Sequence, residues 1–113
     1  SPDESIDNLE KIVRYCKQSG VDGFILTNTS LDHNYKISGG LSGSQLRHKA
    51  EESLKFVRSI VGQEINIIAS GGIMTQEDAL NRFKLKADLI QLYSGFVFRG
   101  NELLQECLEI SST

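Results

Sequence analysis

Nowhere does the sequence contain an apolar stretch near the ~20 residues of a membrane span, so no part of this chain is read as crossing a bilayer. No Lys/Arg cluster is present either. Twelve basic residues against 15 acidic ones leave a net charge of -3, which argues against nucleic acid as a partner. The opening Ser1-Pro2-Asp3-Glu4 is not a signal peptide. The two cysteines, Cys16 and Cys107, fall inside helical patterns and are expected to be reduced, buried thiols of an intracellular protein. His33 and His48 stand alone, without Cys or acidic neighbours at metal-ligand spacing, so both are expected at the surface and no metal is assigned. The remaining composition, 39% hydrophobic and 24% charged, is that of a soluble globular protein. Its 113 residues amount to one domain's worth of chain or less.

The most informative stretch is Ile65 to Ile73. A short apolar run stops in Ser70-Gly71-Gly72, and Thr75 then opens a helical pattern. A strand that delivers its end into a glycine turn offers backbone N–H groups with no side chain in the way, which suits a phosphate. A tight connection would look the same. A second turn of this kind follows another apolar run, at Leu92-Tyr93-Ser94-Gly95.

Taken in order, the chain opens with Pro2 and acids as a helix start. Ile6, Leu9, Ile12, Val13 and Cys16 then form an apolar stripe that stops at Gly20. Gly23 to Thr27 reads as a buried strand ending in Asn28-Thr29-Ser30. An irregular segment from Leu31 ends in Gly39-Gly40-Leu41-Ser42-Gly43, and a loop of this length tends to be functional or mobile. The helix from Gln45 to Gly62 puts Leu46, Ala50, Leu54, Val57 and Ile60/Val61 on one face and a Glu51-Lys55 pair on the other. Arg47, Lys49 and Lys55 are expected to form a solvated face. Strand Ile65 to Ala69 precedes a capping-box pattern, Thr75 to Asp78, and a helix carrying Ala79, Leu80 and Phe83. A third strand, Ala87 to Leu92, leads to the short apolar segment Phe96-Val97-Phe98, read as core or rim packing. A last helix carries Leu103, Leu104, Cys107 and Leu108.

The order α-βα-βα-βα means a parallel sheet with helices outside it, and doubly wound and barrel folds both fit. All the polar and glycine clusters follow strands and so share the carboxyl-end rim, where ligands bind in such proteins. The two glycine turns and the Phe96–Phe98 segment match the phosphate site found late in many barrels. Ser42 has no histidine motif to support a nucleophile's role.

Four motifs occur in one order: Asp22 to Thr29, Gly39 to Gly43, Ile67 to Ile73, and Gln91 to Gly95. Together they resemble the C-terminal part of dihydroorotate dehydrogenase of the quinone-using, membrane-associated class 2, over nearly the whole chain. The resemblance implies about three βα units of an FMN-binding (β/α)8 TIM barrel. It implies oxidation of dihydroorotate to orotate in pyrimidine biosynthesis, with a quinone as final acceptor. By position, Thr27 resembles an FMN contact and Gly43 a backbone contact to the flavin. Gly72, Tyr93 and Ser94 resemble the FMN phosphate site. Asn28 and Thr29 resemble hydrogen-bond partners of the orotate ring; their side chains offer the donors and acceptors that a planar carbonyl-rich ring needs.

The segment between Thr29 and Gly39 is shorter than in many members of that family, and Ser44-Gln45 stands where a proline is common. The family's catalytic serine and a flavin-contacting lysine have no counterpart here. None of Ser5, Ser19, Ser30, Ser42 or Ser94 inherits the base role by motif, so no catalytic residue is assigned. Three strands cannot close an eight-stranded barrel. Residues 1–113 are therefore expected to be an incomplete domain, inactive alone and completed by the N-terminal half of the barrel. That half would also carry the quinone site and the peripheral attachment to the cytoplasmic face or the mitochondrial inner membrane. Two rival readings are another phosphate-binding FMN barrel oxidoreductase and a non-catalytic half-barrel subunit. Without the family, Asn28 and Thr29 are more readily explained as local caps of a strand end, and Tyr93 as a packing residue.

Overall fold

Ser5 fixes where the first helix begins: its hydroxyl accepts the Asn8 N–H at 3.2 Å, which caps α1 (Ile6–Gln18). The computed structural model describes residues 1–111. After α1 come β1 (Gly23–Leu26), α2 (Arg47–Val61, entered through a 3-10 turn at Ser44–Leu46), β2 (Asn66–Ser70) and α3 (Gln76–Lys84). Then follow β3 (Leu89–Gln91), the short α4 (Ser94–Arg99) and α5 (Asn101–Ser111). The capping box expected at Thr75 is present in both directions, with Asp78 as its N3 residue. The strands are a little shorter than the apolar runs that announce them. Even so, Thr27 extends the β1–β2 ladder by one bond, from its N–H to Ser70 O at 2.7 Å.

The three strands form one parallel sheet in the order β1-β2-β3, each connected to the next through a helix. The register sets Phe24 beside Ile67 and Leu26 beside Ala69, and sets Ile25, Ile68 and Leu89 in one row. Successive side chains alternate between faces. Leu26, Ile67 and Ala69 are buried with Leu9 and Val13 of α1, with Leu54, Val57 and Val61 of α2, and with Ala87. A second cluster of Ile73, Ala79, Leu103 and Cys107 joins α3 to α5. The other sheet face is open: Ile25 is 59% exposed and Leu89 60%. One covered and one open apolar face is the arrangement of a barrel wall, whose second face looks inward.

Several sequence expectations need correction. Cys107 is buried, but Cys16 is only half-buried because it lies at the margin of the α1 stripe, as do the exposed Ile6 and Ile12; both thiols are free. Lys55 pairs with Glu52 at 3.6 Å, not with Glu51, which turns toward Arg82. Arg47 and Lys55 are exposed, as expected of a solvated face, but Lys49 is half-buried, and Arg47 reaches Asp78 while Lys49 reaches Asp3 and Asp32. Phe96, Val97 and Phe98 are exposed, because α4 is a six-residue helix at the surface and no described residue covers its outer side. His48 is exposed as expected, whereas His33 is half-buried through a 2.7 Å hydrogen bond between Nε2 and Gly39 O. Among the described residues, no helix is long and apolar enough to cross a membrane.

The rim of the sheet away from the glycine turns is locked by Arg58. Its guanidinium donates to Gly62 O and Ile65 O, both at 2.8 Å, to Lys86 O, and to Asp88 Oδ2 at 2.8 Å. The same Asp88 oxygen accepts the Ile67 N–H at 2.8 Å. That amide bond, together with Arg58, holds the Asp88 carboxyl below its ordinary value. Arg58→Ala leaves these carbonyls and a carboxylate without their cation. Asp88 is partly exposed and the carbonyls keep some access to water, so we expect a loss of about 1–3 kcal/mol of stability, measured by denaturant unfolding.

Candidate functional site

At the carboxyl ends of the strands a cavity of about 600 Å³ is lined by four separate stretches: 27–29, 40–46, 70–73 and 91–95. Every residue singled out from the sequence lines it: Thr27, Asn28, Thr29, Gly43, Gly72, Tyr93 and Ser94. Strand ends bring them together. Thr27 to Thr29 follow β1, Gly72 follows β2, Tyr93 follows β3, and Gly43 ends the long loop.

The glycine turn is built from behind. Gly72 has φ +76°, and a Cβ there would lie 2.5 Å from the backbone N and Cα of Arg47. The turn therefore carries glycine for two reasons: the left-handed backbone and the close approach of the α2 N-terminus. Arg82 of α3 is wholly buried beneath it and donates through Nη2 to Gly71 O at 2.7 Å and to Arg47 O at 3.5 Å. Burial pulls its guanidinium below the ordinary value, against the opposing pull of Glu51, whose Oε1 lies 3.5 Å from Nε. Asp78 ties the same region together. Its Oδ2 accepts the N–H groups of Met74 and Thr75 at 3.0 and 3.1 Å, and its Oδ1 accepts Arg47 Nη1 at 3.2 Å. Burial would raise this carboxyl, but the Met74 amide, Arg47 and Thr75 overcome it and hold it below its usual value.

The second turn meets the first. A Cβ on Gly95 would overlap the Ile73 carbonyl, so α4 starts directly against the strand-end turn after Gly72. Ser94 Oγ is hydrogen-bonded to Ser42 Oγ at 2.7 Å, which ties the glycine-rich loop to the start of α4. This link across 52 residues was not legible in the sequence, and neither was Arg82 beneath the wall. A serine in a glycine-rich loop and an arginine in a helix are ordinary surface residues until the fold is known.

Asn28 Oδ1 accepts the Thr29 N–H at 2.7 Å, so the local cap considered for this pair is present. The bond also identifies the amide oxygen and leaves Nδ2 free to donate. Thr27 Oγ1 is buried and has no hydrogen-bond partner among the described residues. Such a group is costly unless something satisfies it. Tyr93 is 78% exposed and does not serve as a packing residue. Among the described residues, the lining holds no carboxylate, imidazole, lysine, arginine or thiol. Its chemistry is therefore that of amides, hydroxyls and backbone N–H groups, which bind a polar ligand without titrating near neutral pH. Among the described residues, no three His, Cys, Asp or Glu are grouped to hold a metal.

The geometry has close counterparts among known proteins. The family model described as dihydroorotate dehydrogenase matches residues 1–110. Dihydroorotate dehydrogenase (quinone) of Dichelobacter nodosus is 35% identical over 99% of this chain and 35% of its own length. The protein of the same name from Akkermansia muciniphila is 37% identical over 96% of this chain and 33% of its own. The chain thus spans about a third of the length of the curated relatives it matches. A crystal structure of DHODH in complex with ferulenol from Eimeria tenella superposes with a TM-score of 0.89 at 27% identity. That match covers 96% of this chain and 31% of that one.

Two outcomes follow from the network under the turn. A carboxyl held below its ordinary value stabilises the fold fully above about pH 4 and loses that contribution as pH falls through its folded-state value. Thermal unfolding followed between pH 7 and pH 3 should therefore show an acid loss that is smaller in Asp78→Asn, whose stability is already reduced at pH 7. Gly72→Ala should destabilise the protein and collapse the cavity wall, because the clash is with backbone that cannot swing aside.

Proposed function

The chain belongs to the dihydroorotate dehydrogenase family, and on that premise we propose that residues 1–113 supply about half of an FMN site and part of an orotate site in a quinone-dependent dihydroorotate dehydrogenase. One observation carries the reading: four motifs far apart in sequence converge on a single uncharged cavity at the carboxyl rim of the sheet. The remainder of the barrel would close the open sheet face on which Ile25 and Leu89 lie exposed. The same remainder would provide the base that takes a proton from dihydroorotate, the route to quinone, and the peripheral membrane attachment.

The residues present fit a flavin mononucleotide. The unpartnered Thr27 hydroxyl is a ready donor or acceptor for a polar edge of the ring. Gly43 is buried yet would meet only Ser94 Cβ, at 3.9 Å, if it carried a Cβ, so its backbone borders open cavity. Backbone N–H groups at Gly72, Tyr93 and Ser94, with the Ser94 hydroxyl, would hold the phosphate without a cationic side chain. FMN, when bound, supplies the hydride acceptor. Asn28 and Thr29 bind and orient the substrate: the Asn28 Nδ2 donates to a ring carbonyl while its Oδ1 is held by the Thr29 amide. Their contribution is placement of the reacting carbon against the flavin, and the redox chemistry belongs to the cofactor.

Flavin and orotate binding test this directly. In the intact protein Thr27→Val should weaken FMN binding about tenfold, the effect of one buried hydrogen bond, followed by flavin fluorescence quenching. Asn28→Ala should weaken orotate by at least about tenfold while the flavin content per chain stays the same. A protein whose orotate affinity ignores Asn28→Ala would sink the proposal.

A further inference from the structure

The Asp3 carboxylate sits beneath the segment that leaves the Asn28-Thr29 pair. Its Oδ1 accepts the Ser30 hydroxyl at 2.6 Å and Lys49 Nζ at 2.8 Å, and its Oδ2 accepts the Leu31 N–H at 2.7 Å. Lys49, on α2, also reaches Asp32 Oδ2 at 3.0 Å and Ser30 Oγ at 3.3 Å. Ser30 is 2% exposed, so this grip is on a buried residue rather than on a mobile surface side chain. The Lys49 ammonium, and then the Ser30 hydroxyl, hold the Asp3 carboxyl well below the usual carboxylate range.

The grip continues toward the cavity. Ser30 exchanges both backbone hydrogen bonds with Leu41, at 3.0 and 2.7 Å, and so closes the neck of the segment 31–40. The returning chain brings Gly40 so near Thr29 that any Cβ there would overlap Thr29 Oγ1. A continuous line of contact thus runs from Asp3 through Ser30 and Leu41 to Gly40 and the Thr29 hydroxyl. On the other side Ser30 is the residue directly after Thr29, so fixing Ser30 also fixes the chain that carries Asn28 and Thr29.

We propose that Asp3, with Lys49 as its counter-ion, is a positioning residue that sets the affinity of the Asn28-Thr29 pair for a planar, carbonyl-rich carboxylate such as orotate. The proposal rests on the reading of Asn28 and Thr29 given above. It requires a carboxylate specifically. Three donors converge on the two oxygens of Asp3, and an asparagine would have to turn its own NH2 toward one of them.

The test is Asp3→Asn in the intact, flavin-loaded protein, with three readouts: flavin per chain, orotate dissociation constant from the flavin difference spectrum, and amide hydrogen exchange at Leu31 and Leu41. We expect unchanged flavin content, orotate bound about tenfold more weakly, and faster exchange at both amides. With dihydroorotate the loss should fall on KM rather than kcat. Unaltered orotate affinity overturns the proposal, and so does loss of flavin in parallel with orotate, which would mark Asp3 as a general structural residue. If the unsubstituted protein holds flavin but no orotate, the reading of Asn28 and Thr29 has failed and the role of Asp3 falls with it. Should Asp3→Asn not fold, Lys49→Gln keeps the Asp3 bonds to Ser30 and Leu31. It should weaken orotate about threefold at constant flavin, and no change there overturns the proposal equally.

Discussion

A guanidinium with no exposed surface lies under the glycine turn, and the cavity wall depends on it. Arg82 comes from α3, yet it holds the carbonyl of Gly71 and that of Arg47 and faces Glu51 of α2. Burying such a cation is expensive unless acceptors and an opposite charge surround it. Here only Nη2 finds acceptors, the carbonyls of Gly71 and Arg47, while Nε and Nη1 have no hydrogen-bond partner among the described residues and Glu51 supplies the opposite charge at 3.5 Å from Nε. The α2 N-terminus then packs so closely on Gly72 that no side chain fits between them. Asp78 completes the arrangement by capping α3 and receiving Arg47.

The two rims of the sheet are stabilised by different chemistry. At one, Arg58 and Asp88 gather strand-start and helix-end carbonyls into a charged cluster. At the other, charge is kept behind the wall, in Arg82, Asp78, Glu51, Asp3 and Lys49, and the cavity lining itself is uncharged. This division separates rigidity from binding. Ionic groups set the positions of backbone and hydroxyl groups from outside, while the groups facing the cavity keep hydrogen-bonding capacity for a ligand. A phosphorylated flavin and a small planar acid are the kinds of ligand that such a lining suits, since neither needs a titrating partner to be held.

Local pattern carried most of the fold. The Thr75–Asp78 capping box, the α2 apolar face and the parallel order of three βα units all read correctly, because each depends on spacing within a few residues. Misreadings came where one side chain had two plausible surroundings. Lys49 looks like part of a solvated face in the sequence, and only the approach of Asp3 and Asp32 gives it partners and half-buries it. Phe96 to Phe98 look like core or rim packing, but a short surface helix leaves them uncovered within the described residues. Arg82 was not legible at all, since burial of a charge depends on what lies over it.

For the candidate site, the sequence by itself determined which residues gather. Polar and glycine clusters that follow parallel strands must share a rim, because every strand runs the same way and every helix returns the chain to the other end. What it could not determine was how they are held. The Ser42–Ser94 hydrogen bond, the fit of Gly40 on Thr29, the unpartnered Thr27 hydroxyl and the Asp3 grip on Ser30 all depend on distances between segments tens of residues apart. Such distances arise only when helices and strands pack, and packing is decided by the whole set of contacts at once rather than by any stretch of chain.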